Sequence, residues 1–168
     1  ALYRMFALDD MPAPTFPNLP TPPPPLELNF KNLSVKVSVD NAMIALLDGN
    51  LNVKGSPNEN YARELFELYS IGRGLEGTLP EAPEQGDYIV YKEQDVQAAA
   101  RVLSGWTTNM DFDAITEPTV TLDPETQLPR GRVRGSALDA SSHDNDIKTF
   151  SNRMPGTIQP DPLLLNAG

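Results

Sequence analysis

The chain has 168 residues, with 13 basic against 23 acidic side chains and a formal charge of −10 at pH 7. A field of that sign repels nucleic acid and anionic lipid, so neither is expected as a partner. The absence of cysteine excludes disulfides, thiolate catalysis and cysteine-rich zinc sites, and no apolar run approaches the roughly 18 residues of a membrane span.

Seventeen prolines and eleven glycines beside 39% hydrophobic residues predict long irregular connections around a core lying between Asn41 and Trp106. The chain opens Ala1-Leu2-Tyr3-Arg4, without the basic and apolar regions of an export signal, so its true start is expected elsewhere or already removed.

Leu2, Met5, Phe6 and Leu8 recur near helical spacing and predict that residues 1–10 are the tail of a preceding helix. Residues 11–32 read as a connection: Met11 to Leu26 carries eight prolines, which fix extended backbone and remove amide donors. Residues 33–106 are the expected helical core. Its first piece, Leu33 to Val39, alternates with period two and β-branched residues, the pattern of a half-buried strand. Asp40 is placed to cap a helix carrying Ala42, Met43, Ile44, Leu46 and Leu47 and closed by Gly49, followed by a polar loop to Gly55.

Ser56-Pro57-Asn58-Glu59 reads as a capping box with proline at the first helical position. The helix it opens runs to Ile71, with Tyr61, Ala62, Leu65, Phe66, Leu68 and Tyr69 on an apolar stripe. Glu59, Arg63 and Glu67 line up at spacing four on another face, and Gly72 and Gly74 end it. After a glycine- and proline-rich connection and the apolar piece Tyr88 to Tyr91, a second helix is predicted over Glu93 to Ser104, stopped by Gly105. Its alanine run allows close approach to the first helix, with Trp106 as a buried anchor. Residues 107–168 are loop-rich, with short strands around Thr119 to Leu122 and Gly131 to Arg134 and a polar segment from Ser141 to Phe150. The fold class is therefore mainly α: at least two packed amphipathic helices joined by long Pro/Gly-rich loops, with a few short strands.

The run Asn58-Glu-Asn-Tyr-Ala-Arg-Glu-Leu-Phe-Glu-Leu-Tyr-Ser-Ile-Gly72, then Asp95 to Trp106, then His143-Asp144 with Lys148 and Phe150, resembles the signature segments of the domain-of-unknown-function 1800 family, in the family's order and roughly its spacing. Asp40 to Gly49 also fits the segment before the signature. The resemblance implies a mainly helical, exported bacterial protein of several hundred residues, periplasmic or at the cell surface. This chain would be an internal part of one larger domain, packed on the rest of its own polypeptide and partnered by another exported protein. Two departures stand out. Lys92 replaces the family's usual threonine cap, and Thr149-Phe-Ser-Asn-Arg-Met154 replaces a commoner Phe-Leu-Gly.

Chemistry has two places to sit. Glu59, Arg63 and Glu67 form a plain intrahelical ion-pair ladder, each rung worth about 0.2–0.5 kcal/mol when exposed. On the neighbouring face, Asn60 and Glu64 are candidates to meet His143, Asp144 and Asp146 as ligands of a divalent metal, with Glu64, His143 and Asp144 as candidate acid–base groups. His143 is the sole histidine. Asp144-Asn145-Asp146 alternates oxygen ligands as calcium loops do but lacks their glycine turn and closing glutamate. Ser141 or Ser142 beside His143 lacks the nucleophile elbow of a hydrolase. Two functions follow: a noncatalytic surface or assembly protein, or a hydrolase-like enzyme, metal-dependent or acid–base.

Overall fold

The computed structural model describes residues 29–72, 74, 78–108, 123, 130–134 and 140–162. The expected helix tail over Leu2 to Leu8, the proline-rich connection from Met11 to Leu26 and the strand from Thr119 to Leu122 lie outside them. Among the described residues the architecture is mainly α, with four α-helices and two small two-stranded antiparallel sheets. No described helix is long and apolar enough to cross a membrane.

The alternating segment is a helix, α1, over Phe30–Ser38, and the expected strand is overturned. Asn29 caps it, accepting the Asn32 amide at 2.8 Å. The hydroxyls of Ser34 and Ser38 donate to the carbonyls four residues earlier, at 2.9 and 2.8 Å. An alternating pattern specifies a strand only where a neighbouring strand pairs with it. Here α1 packs instead on the next helix and on the signature segment, burying Val37 to 4% exposure while Val35 stays 55% exposed.

Helix α2, Asn41–Leu46, follows as expected: the Asp40 carboxylate accepts the amides of Ala42 and Met43 at 2.9 and 3.3 Å, and Ile44 is buried. A 3-10 turn over Gly49–Leu51 leads to Asn52. This fully buried side chain donates to the Ala100 carbonyl at 2.7 Å and accepts the Asn58 amide at 3.0 Å. A loop residue thereby ties the start of the helix after Asn58 to the last turns of the helix carrying Ala100.

The signature helix departs from its predicted form twice. Asn58, not Ser56, is the cap of α3, Glu59–Glu64, accepting the Asn60 amide at 3.0 Å. Ser56 is drawn away into a turn, its amide donating to Val53 at 3.0 Å, and a residue before proline is disfavoured from helical geometry. Beyond Glu64 the helix widens into a π segment, Leu65–Ser70, closed by the Ile71 amide donating to the Phe66 carbonyl five residues back at 3.0 Å.

Tyr88-Ile89-Val90 forms a γ-turn of the rarer hand. Ile89 sits at φ +71°, the Val90 amide donates to Tyr88 at 2.8 Å, and the Ile89 amide is held by Asp87 at 2.8 Å. A β-branched residue at positive φ is strained, and it persists only where its surroundings fix it. Helix α4, Glu93–Val102, starts with the Asp95 carboxylate accepting the Lys92 amide at 2.7 Å, so a capping bond forms despite the lysine. The core is the α3–α4 contact: Ala62, Phe66, Tyr91, Val96, Ala99 and Ala100, where alanines let the helices approach.

Strand β1, Trp106–Thr107, pairs with β2, Arg132–Val133, and β3, Lys148–Thr149, pairs with β4, Thr157–Ile158. Trp106 is half-buried rather than the expected core anchor, because the chain leaves α4 through Gly105 into an edge strand and not into the helix interface.

Candidate functional site

The nominated residues divide between two places. On α3, Asn60 is exposed and its side-chain amide donates to the Leu47 carbonyl at 3.4 Å. Glu64 is half-buried in the last α-helical turn. His143, Asp144 and Asp146 share one loop at the far end of α4. Among the described residues no hydrogen bond or ion pair joins Asn60 or Glu64 to that loop, and no group of three or more His, Asp or Glu side chains is placed to hold a metal.

The loop is built on the end of α4. Gly105, at φ +79°, carries the turn, and a Cβ there would lie 2.7 Å from the His143 nitrogen and 2.9 Å from its Cα. Only glycine therefore lets the two backbones meet. Nδ1 of His143 lies 2.8 Å from the Ser104 carbonyl; a carbonyl only accepts, so Nδ1 carries the proton and Nε2 is the acceptor of the neutral ring. The Ser104 hydroxyl accepts the Asp144 amide at 2.8 Å and donates to the Arg101 carbonyl at 2.7 Å.

Asp144 is buried and takes a forked bond from Arg101, Nε at 2.6 Å and Nη2 at 3.2 Å. Burial pushes its carboxyl up, but Arg101, the Asp146 amide and Lys148 together hold it below the usual range. Lys148 is buried, its ammonium donating to the main-chain carbonyls of Asp144 and, at 2.8 Å, of Asp146. Burial lowers its pKa. The main-chain carbonyls of Asp144 and Asp146 thus receive a cation the chain itself supplies, while the Asn145 side chain bonds the Asp161 backbone.

The ladder on the signature helix is also rearranged. Arg63 bonds Glu59 at 3.3 Å as expected, but its main partner is Glu93 of α4, by a fork at 2.5 and 3.1 Å. The Tyr88 hydroxyl accepts from Arg63 at 3.1 Å and donates to Glu93 at 2.8 Å. Arg63 holds the Glu93 carboxyl down at about 2. Glu59 moves the opposite way, raised by burial and by the neighbouring Glu93. The π segment explains the switch: wider than an α-helix, it displaces residue 67 from the position four after Arg63 on one face. Beside this cluster an open groove of about 640 Å³ runs over the first turn of α3, lined by Leu51, Ser56 to Asn60 and Arg63.

Sequence reasoning passed over Asn52, Tyr88, Glu93 and Asp95 as site-builders. Asp95 is fully buried and accepts the Ser151 amide and hydroxyl, both at 2.6 Å, and Arg153 bonds the buried Asp87 at 3.0 Å. Both partners fall in the Thr149–Met154 stretch where the family pattern is broken, and that departure was the available signal.

The model of the family described as "Protein of unknown function (DUF1800)" matches residues 28–161. No curated protein and no solved structure matches the chain. The matched span takes in the capped α2, the signature helix with its π segment, α4 and the His143 loop, so the chain belongs to the DUF1800 family.

Proposed function

We propose that this chain is part of a noncatalytic, exported assembly protein whose helical core presents surfaces to another exported protein. The observation that carries the reading is that three polar side chains of the family-like motifs, Arg63, His143 and Asp144, are committed to internal bonds. Arg63 bonds Glu93 and Tyr88, His143 Nδ1 bonds Ser104, and Asp144 bonds Arg101. Large apolar side chains face outward meanwhile, among them Leu46 at 68% and Leu51 at 62% exposure. Export follows from the family resemblance, and the acidic surface suits a partner that is not a polyanion.

Light scattering on the intact protein, with native pull-down from its source, tests the reading. A defined complex is expected, and a monomer that captures no partner would remove its support. The second reading, a hydrolase-like enzyme using metal or acid–base chemistry, draws on His143, whose fixed tautomer leaves Nε2 as acceptor. Metal analysis of the intact protein with and without His143→Ala separates the two; metal bound stoichiometrically and lost in the variant favours the enzyme.

A further inference from the structure

We propose that the outward face of residues 130–134, the segment that runs through β2, docks an extended acidic segment of a partner protein, with Arg130, Arg132 and Arg134 receiving carboxylates carried at alternate positions. The inference rests on the assembly reading and names the surface and the chemistry of the contact.

Alternation along the extended chain sorts these side chains. Gly131 is buried, and a Cβ on it would lie 2.3 Å from Cδ1 of Ile44; Val133 is half-buried. Arg132 and Arg134, at the intervening positions, are exposed, and Arg130 is partly so. The three arginines differ from Arg63, Arg101 and Arg153, each of which bonds a carboxylate. Arg132 makes no side-chain bond among the described residues, and Arg134 reaches only the main-chain carbonyl of Asn50, at 2.8 Å. The Nε–H of Arg130 is buried with no acceptor. Asp40, whose main chain bridges that of Arg130, turns its carboxylate to the amides of α2 instead. Three guanidinium groups on one face are thus donors for an acceptor from outside. Arg130 gains most, because a buried donor without an acceptor is costly and the long stem of arginine lets an arriving carboxylate draw the group outward. The planar fork of each guanidinium matches a carboxylate. Spacing selects an extended peptide: alternate residues of a strand stand about 6.5–7 Å apart, so carboxylates at every second position of a partner segment meet the arginines in register. Three cations are few for a polyanion, whose affinity grows with each charge neutralised, and suit a segment bearing a few acids. A basic or neutral segment gains no such bond.

Fluorescence anisotropy on the intact protein tests the site, with the end-blocked, labelled peptide Glu-Ser-Glu-Ser-Glu as probe and Ser-Glu-Glu-Glu-Ser and Lys-Ser-Lys-Ser-Lys as controls. The alternating acidic peptide should bind, the adjacent-acid peptide of equal charge should bind more weakly, and the basic peptide should not bind. Arg132→Gln, at an exposed side chain with no internal bond, preserves the fold and should weaken the probe by about threefold or more, as should salt raised to about 0.5 M. Lys31→Gln, an exposed cation elsewhere, should change nothing. In the side-chain ¹⁵N spectrum the Nε–H of Arg130 should shift on binding, while that of Arg101, already bonded to Asp144, should stay in place. Equal affinity in Arg132→Gln and wild type, equal losses in Arg132→Gln and Lys31→Gln, or tighter binding of oligothymidylate or a sulfated oligosaccharide than of the peptide would overturn the proposal. If the intact protein forms a defined complex and Arg132→Gln forms it as tightly, the arginine face fails and assembly stands. If the peptide binds but the protein has no partner, the assembly reading fails and takes the docking proposal with it.

Discussion

Asp95 shows how much one side chain can hold. Its carboxylate accepts the Lys92 amide that opens α4 and both donors of Ser151, so it caps a helix and anchors a segment 56 residues away at once. Replacing it with alanine strands three donors in a dry site. We expect Asp95→Ala to cost about 2–4 kcal/mol, read from the urea midpoint of the intact protein; a loss under about 0.5 kcal/mol would show that the Ser151 segment is not held there. Glu93 and Glu59 give a pH signature. The folded carboxyl of Glu93 is depressed from 4.5 to about 2, so its stabilisation is present above the unfolded value and disappears as pH falls from about 4.5 toward 2. Glu59 is raised, so it favours the fold below its unfolded value and opposes it once ionised. Glu93→Gln should therefore be less stable than wild type at neutral pH, with the gap closing on acidification, whereas Glu59→Gln should be as stable as wild type or more so at neutral pH. Denaturation midpoints at pH 7 and pH 3 check both signs.

Within elements, periodicity found three of the four described α-helices but missed where one of them changes its pitch. The apolar stripe, the glycine stop and the charged spacing of residues 57–71 were all legible, and nothing in them distinguishes six residues of π geometry from α. The widening has an energetic consequence that can be measured. A double-mutant cycle between Arg63 and Glu93 should give a coupling of about 1 kcal/mol, because the pair is forked and partly shielded. The Arg63–Glu67 cycle should give less than the 0.2–0.5 kcal/mol typical of an α-helical rung. Equal couplings would mean the helix stays α through residue 67. The strand expected over residues 33–39 failed for a related reason. Alternation states which side chains are apolar, and the capping of Asn29 together with the packing of Val37 decided what they face.

At the scale of the whole molecule, the described core is narrow. Its largest fully buried apolar side chains are Tyr61, Tyr91, Ile44 and Val96, while Phe30, Leu46, Leu51 and Leu68 each stand more than half exposed. A core of that size offsets only part of the conformational entropy of ordering the described residues. We expect the isolated chain to melt without a cooperative transition; a sharp calorimetric peak would show that it folds unaided. By itself the sequence determined the helical class, the caps at Asp40 and Gly105, the alanine-rich helix contact and the family, because these depend on local spacing and residue type. Only the tertiary structure decided that Arg63 belongs to Glu93, that Lys148 fills the Asp144–Asp146 loop, that Asn52 joins two helices, and that Asn60 bonds Leu47 while His143 bonds Ser104. Apart from the local Lys148 contacts, each of those pairs residues distant in sequence, and hydrogen bonds between distant groups are set by how the chain packs, which no local pattern encodes.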